Sequence, residues 1–297
     1  MQVAPAVHDA HALQHCAQGV DTSFVALGPL KIAFLGIVQG ITELLPVSST
    51  AHMRAIPAFL GWPDPGSAFS AAMQLAALVA VLTYFNADIS ALATGTLKAL
   101  RKRDWANSEL RLAIAVVVAT IPIVVVGGFL SRILNACGSP LRTPLVVGIA
   151  CVGMAVLLGL AELLARHRRD AKSLSLLDAL LIGLAQVGAL IPGVSRSGST
   201  LTAALSLGFA REDAARVSFL LGIPAIALAG AHELWVLHQA DLSADGWYVL
   251  AIGLVTSSLA SFVAIWGLMH WLEKFSTWPL VIYRALFGAA LIVQTLS

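Results

Sequence analysis

The sequence predicts an all-α integral membrane protein: six transmembrane helices plus two re-entrant helical hairpins, arranged as an inverted repeat. Three observations predict it. Of 297 residues, 58% are hydrophobic and 11% charged, with a mean hydropathy of +0.86, where soluble domains run at about 45–50% apolar and about 25% charged. Six stretches reach the roughly 20 apolar residues that a helix needs to cross a bilayer core. Two further apolar stretches are interrupted by Pro and clusters of Ser, Thr and Gly, and these two resemble each other.

In chain order, residues 1–28 read as a polar N-terminal tail and 29–297 as a single membrane domain. The tail lacks the basic and apolar regions of a signal peptide. His8, His11 and His15 beside Cys16 are expected to be solvated rather than to bind metal. The spans are expected near Ser67–Phe85, Arg111–Leu130, Thr143–Leu164, Ala214–Trp235, Trp247–His270 and Trp278–Leu296. Trp235, Trp247, Trp271 and Trp278 fall at span ends, as interfacial aromatics do. A soluble helical protein would show polar outer faces, which these segments lack. Cys137 and Cys151 lie in or beside apolar runs without metal-ligand spacing.

The two interrupted stretches are Ile32–Leu60 and Leu176–Phe209. The first breaks at Leu44-Leu45-Pro46-Val47-Ser48-Ser49-Thr50, the second at Ile191-Pro192-Gly193-Val194-Ser195-Arg196-Ser197-Gly198-Ser199-Thr200. Each half reads as too short to span, so each stretch is expected to enter and leave on one side. Irregular backbone at that depth is tolerated only where protein or a water-filled cavity covers it. Gly36, Gln39 and Ser48 match Gly183, Gln186 and Ser195 at a constant offset of 147 residues. This predicts repeat 1 over about 29–165 and repeat 2 over about 176–297, facing opposite sides because three spans separate the hairpins. Nine of the 18 Lys and Arg lie in two loops, Lys98–Arg111 and Arg166–Lys172, which puts those loops in the cytoplasm. Hairpin one then enters from outside and hairpin two from the cytoplasm.

The chemistry-bearing residues cluster in the hairpins. Gln39 and Glu43, four apart, share a helix face. Ser48, Ser49, Thr50 and His52 open the next helix. In hairpin two, Ser195, Arg196, Ser197, Ser199 and Thr200 do the same. Two hydroxyl-rich helix N-termini with one Arg make an anion site, because free N–H groups and a guanidinium point at the same ligand. Any one hydroxyl is equally well read as a helix cap. That reading does not explain Glu43, His52 and Arg196, three ionisable groups inside apolar segments. Arg284, inside the last span beside Tyr283, is a second candidate for phosphate contact, with snorkelling to the interface as its alternative. Glu162 and Glu233 lie at span ends and read as interfacial. A net charge of +2 gives no reason to expect nucleic acid as a partner.

Gly36-Ile-Val-Gln39-Gly-Ile-Thr-Glu43-Leu-Leu-Pro46-Val-Ser48-Ser49-Thr50-Ala-His52 resembles the first signature of the bacterial undecaprenyl-diphosphate phosphatase (bacitracin-resistance, BacA-type) family. Pro192-Gly193-Val-Ser195-Arg196-Ser197-Gly198-Ser-Thr200 resembles the second, and Ala214-Ala-Arg216-Val-Ser218 and Tyr283-Arg284 extend the likeness. The resemblance implies hydrolysis of undecaprenyl diphosphate to the monophosphate lipid carrier used in peptidoglycan synthesis. It implies an inner-membrane location with the site facing the periplasm. Glu43, Ser49, His52 and Arg196 match the family's essential positions, and Ser195, Thr200 and Arg284 its phosphate-contacting ones. Gln39, Ser48, Thr50 and Ser197 complete the expected substrate-binding set. Many members carry Glu where this chain has Gln39, so a divalent cation (Mg2+ or Ca2+) would rest on Glu43 alone. The partners expected are the lipid substrate and the bilayer; a homodimer stays open. Two nucleophiles stay open as well, Ser49 or a water activated by Glu43. A lipid-phosphate flippase or transporter using the same midplane anion site is the alternative function, although transport does not require the Ser49/His52 pair.

Overall fold

The structure, a computed structural model, describes residues 22–134 and 140–296. The tail residues His8, His11, His15 and Cys16, and Cys137, lie outside the described residues. A 3-10 turn, Ser23–Leu27, leads into twelve helices. These are α1 (Gly28–Leu44), α2 (Ser49–Phe59), α3 (Ser67–Ala72), α4 (Gln74–Tyr84), α5 (Asn86–Lys102) and α6 (Ser108–Leu134), then α7 (Pro144–Leu164), α8 (Leu176–Val187), α9 (Arg196–Ser206), α10 (Arg211–Gln239), α11 (Ala244–Lys274) and α12 (Trp278–Leu296). Among the described residues there is no strand, only an isolated bridge between Arg169 and Phe209.

Among the described residues, six helices are long and apolar enough to cross a membrane, so this is a multi-pass membrane protein. The set differs from the expected one in two places. The first arm of hairpin one is not too short: with its 3-10 lead it runs Ser23–Leu44, 22 residues. Phe24 and Leu27, read from sequence as tail, are buried, and Phe24 stacks on Phe69 with ring centroids 5.2 Å apart. That apolar turn adds the missing length. Conversely, the expected span Ser67–Phe85 is divided between α3 and α4 at Met73, and the chain bends by 78° into α5.

Small residues set the packing. Without water, helices in a bilayer associate by close backbone approach and hydrogen bonds. Gly148 of α7 and Gly288 of α12 face each other, and a Cβ on either would sit within 2.9 Å of the other's carbonyl oxygen. In the same manner α1 lies along α11, with Ser261 Oγ donating to the Gly40 carbonyl at 3.1 Å, and α8 lies along α6 with Gly183 against Ala119.

Loop ion pairs tie the helix ends. Glu162, at the end of α7, is buried: it pairs with Arg211 (Nη2 at 2.5 Å, Nε at 2.7 Å) and accepts from Thr277 Oγ1 at 2.9 Å. An unpaired carboxylate there would be costly, and these three donors offset that cost. Arg169 pairs with Asp178 at 2.6 Å, donates to the Leu207 carbonyl and lies over the Phe209 ring. Asp178 caps α8, in a box with Ser175. The Arg169 guanidinium holds the Asp178 carboxyl down at about 2.

Candidate active site

Both hairpins break by the same backbone device. In hairpin one, Pro46 offers no N–H and steers Leu45 out of helical space, to φ −75°, ψ 147°. Ser48 then turns at φ 73°, and its Oγ caps α2 by accepting from the Ala51 N–H at 3.4 Å. In hairpin two, Ser195 turns at φ 69°, and its Oγ caps α9 by accepting from the Gly198 N–H at 3.1 Å. Non-glycine residues at such angles cost about 1–3 kcal/mol and collect at functional sites.

One side chain from hairpin two, and one from outside both hairpins, bring the breaks together. Ser197 Oγ donates to the main-chain carbonyls of Glu43 (3.1 Å) and Leu45 (3.0 Å), laying the first turn of α9 against hairpin one. Arg284 of α12 is fully buried. Its Nη1 donates to the Pro46 carbonyl at 2.8 Å, its Nη2 to Gly193 and Val194 at 2.7 and 2.6 Å, and its Nε to Cys151 at 3.2 Å. The guanidinium thus pins both breaks and α7 at once. Its donors go to backbone carbonyls, so the structure uses Arg284 as a clamp. Snorkelling does not occur.

Glu43 is the hub of the cluster. Its Oε2 accepts from Ser49 Oγ at 2.6 Å and from Gln39 Nε2 at 3.0 Å, and its Oε1 lies 3.3 Å from Arg196 Nη2. Arg196 keeps two further donors, Nε and Nη1, that are buried and without a partner. Buried donors are almost always satisfied, so a guanidinium left this way is suited to an anion. Gly222 of α10 makes the room, since a Cβ there would collide with Arg196 Nη1. Gln39 Oε1 is likewise buried and unpartnered.

The remaining expected residues divide. His52 is buried beside this cluster, with Nδ1 2.8 Å from the Ser48 carbonyl and Nε2 2.7 Å from Tyr283 Oη. Thr50 is exposed next to Ser49. Ser195 Oγ shares a bond with Ser197 Oγ at 3.2 Å besides its capping role. Thr200 is fully buried, its hydroxyl bonded to the Arg196 carbonyl at 2.8 Å and to Ser218 Oγ at 2.5 Å. Gln39, Glu43, Ser49 and Arg196 therefore form one bonded cluster, while Thr200 and Arg284 hold its frame. Sequence reasoning assigned no role to Tyr283, Ser218 or Gly222. Tyr283 carried one signal: it shares a helix face with Phe287 four residues on.

The cluster offers a cation one carboxylate, Glu43, and one buried unpartnered oxygen, Gln39 Oε1. Among the described residues, no three His, Cys, Asp or Glu side chains come together to hold a metal. Glu43 is the lone carboxylate of the cluster, and both its oxygens are engaged.

Broken apolar helices enclosing a carboxylate, a serine and an arginine with free donors define a polytopic membrane protein equipped for phosphate chemistry. The chain belongs to the bacitracin resistance protein BacA family, whose profile it matches over residues 32–290. It is 64% identical over 256 residues to undecaprenyl-diphosphatase 2 of Mesorhizobium japonicum, covering 86% of this chain and 97% of that protein. It is 50% identical over 266 residues to the undecaprenyl-diphosphatase of Gloeobacter violaceus, covering 90% and 91%. With that of a Synechococcus species the identity is 47% over 268 residues, covering 90% and 93%.

Proposed function

We propose that this chain hydrolyses undecaprenyl diphosphate to undecaprenyl phosphate and inorganic phosphate, with Glu43, Ser49, His52 and Arg196 as the reacting machinery. The names of the relatives above give the substrate. The observation that carries the mechanism is the 2.6 Å bond from Ser49 Oγ to Glu43 Oε2.

Ser49 attacks the terminal phosphorus while its proton passes to Glu43, the group already accepting it. Arg196, through Nε and Nη1, takes the phosphate oxygens and stabilises charge that grows in the transition state. The P–O bond to the lipid phosphate breaks, and His52 gives that leaving group a proton. Water then attacks phospho-Ser49 and gives its proton to His52, and Glu43 returns its own to the Ser49 oxygen. Protons and charges balance over the cycle, and no step is routed through a divalent cation. A hydrogen bond from Gln39 keeps Glu43 aimed at Ser49.

The frame belongs to the same reading. Hairpins one and two are inverted copies entering from opposite faces of the bacterial inner membrane, with the site open to the periplasm. Supporting this are the 147-residue offset, the paired serine turns, and the way α1 lies on α11 as α8 lies on α6. The other reading, a lipid-phosphate flippase, draws no support from the relatives reported, each named a diphosphatase.

The test is phosphate release from undecaprenyl diphosphate by purified protein beside Ser49→Ala and Glu43→Gln, with acid quench to trap phosphoserine. Release by the wild type, its loss in both variants and a trapped phosphoserine are expected. Full activity of Ser49→Ala would hand the attack to water.

A further inference from the structure

His52 is held on three sides. Its Nδ1 lies 2.8 Å from the main-chain carbonyl of Ser48, a group that only accepts, so Nδ1 carries a hydrogen. The ring lies flat on Phe287, with centroids 4.0 Å apart and planes at 2°. The remaining polar atom, Nε2, meets Tyr283 Oη at 2.7 Å. His52 is 2% exposed whereas Tyr283 is 47% exposed, a figure that makes the tyrosine the outward neighbour of a sealed ring. Phe287 and Tyr283 sit four residues apart on α12, the helix that Arg284 anchors to both breaks. One helix therefore fixes the breaks and the histidine together.

We infer that Tyr283 is a positioning residue of the hydrolytic site, holding the resting His52 ring in place through Nε2 until the leaving oxygen displaces the tyrosine hydroxyl there and takes the Nε2 hydrogen. A carbonyl at Nδ1 leaves the lone pair of the neutral ring at Nε2. A phenol is the partner that suits Nε2 in both states: it donates to the neutral ring and accepts from the imidazolium, remaining neutral itself. No other hydrogen-bonding group in contact with His52 has that property, since the Ser48 carbonyl accepts only. Phe287, stacked on the ring, prevents it from turning about its own axis. The tyrosine is never charged and makes no bond to phosphorus; its effect passes through His52.

This inference rests on His52 being the proton-handling group of the proposed reaction, and the experiment separates the two. Tyr283→Phe keeps the ring and the stack and removes only the hydroxyl. Its kcat is expected to fall about tenfold, less than the roughly 100-fold or more that an acid–base group itself contributes, with KM for undecaprenyl diphosphate unchanged. In the His52→Ala background the same substitution is expected to cost nothing further. In protein labelled with 15N-histidine, Nδ1 of His52 reads as protonated in both forms, and the Nε2 resonance moves to that of an unbonded nitrogen in Tyr283→Phe. Unchanged kcat, a change in KM alone, or an Nε2 resonance indifferent to the substitution would each overturn the role. Full activity of His52→Ala would instead remove the proton-handling assignment, while the 15N shifts would still judge the Tyr283 bond.

Discussion

Hairpin one places Glu43 four residues after Gln39, whereas hairpin two places Leu190 four residues after Gln186. The same 147-residue offset sets Ser49 opposite Arg196 and His52 opposite Ser199. The backbones agree, with a serine turned to positive φ at each break and its oxygen capping the next helix. The chemistry has diverged. In the proposed reaction, hairpin one brings the acid–base groups and the attacking hydroxyl and hairpin two brings the cation, so neither is a site alone. Gln39 is bonded to the carboxylate it orients, whereas Gln186 is 1% exposed with both amide atoms unpartnered. The difference teaches that the fold supplies two anion-facing helix starts, and that a few side chains decide what each does there.

The comparison breaks most completely at the residue common to both sides. Arg284→Met leaves the Pro46, Gly193 and Val194 carbonyls buried without a donor, each worth about 1–3 kcal/mol. A large drop in detergent-solution Tm and undetectable activity are expected. Next come the diverged positions. Glu43→Gln and Arg196→Ala should each lower kcat/KM by about a thousandfold, in line with the loss of a general base or a transition-state cation, while Leu190→Glu should restore neither. Steady-state phosphate release measures all three.

The glutamine pair sharpens the contrast. Gln39→Leu removes a hydrogen bond to a charged group, about 1.5–3 kcal/mol, and kcat should fall about tenfold or more. Gln186→Leu removes only unpartnered atoms, so activity should hold and Tm should stay or rise. Gln39→Glu places two carboxylates four apart on one face, and its activity should respond more strongly than the wild type's to added Mg2+ and to a chelator. The smallest effect is at the loop. Because Arg169 depresses the Asp178 carboxyl to about 2, the stability it contributes is fully present above the unfolded value of 3.8 and is lost as pH falls through about 2. Arg169→Met should therefore lower Tm near neutrality, where that contribution is fully present, and flatten the Tm–pH curve between those limits.

Most of the spans were legible because a bilayer demands a length of apolar chain, and five of the six long helices follow from that demand. The exception is instructive. Ser23–Leu27 carries too few residues to register as apolar, and its place is set by Phe24 packing on Phe69, a contact 45 positions away in the chain. The cluster of Gln39, Glu43, Ser49 and Arg196 was legible as residue types, since ionisable groups in apolar segments demand partners. Their division of labour was not. Nothing local says that Arg284 donates to the carbonyls of both breaks, or that His52 turns to Tyr283, because both depend on how α12 docks against two distant breaks.

The clamp at Arg284 also sets an order of assembly. Synthesis runs from the N-terminus, so both hairpins and five of the six long helices enter the membrane before residue 284 is made. Until then the breaks have no common donor, and the ring of His52 has neither its stacking partner nor its phenol. Those bonds and contacts therefore form only once α12 has been made. A truncation just before Trp278 would yield an inserted protein with every reacting residue present and no working centre.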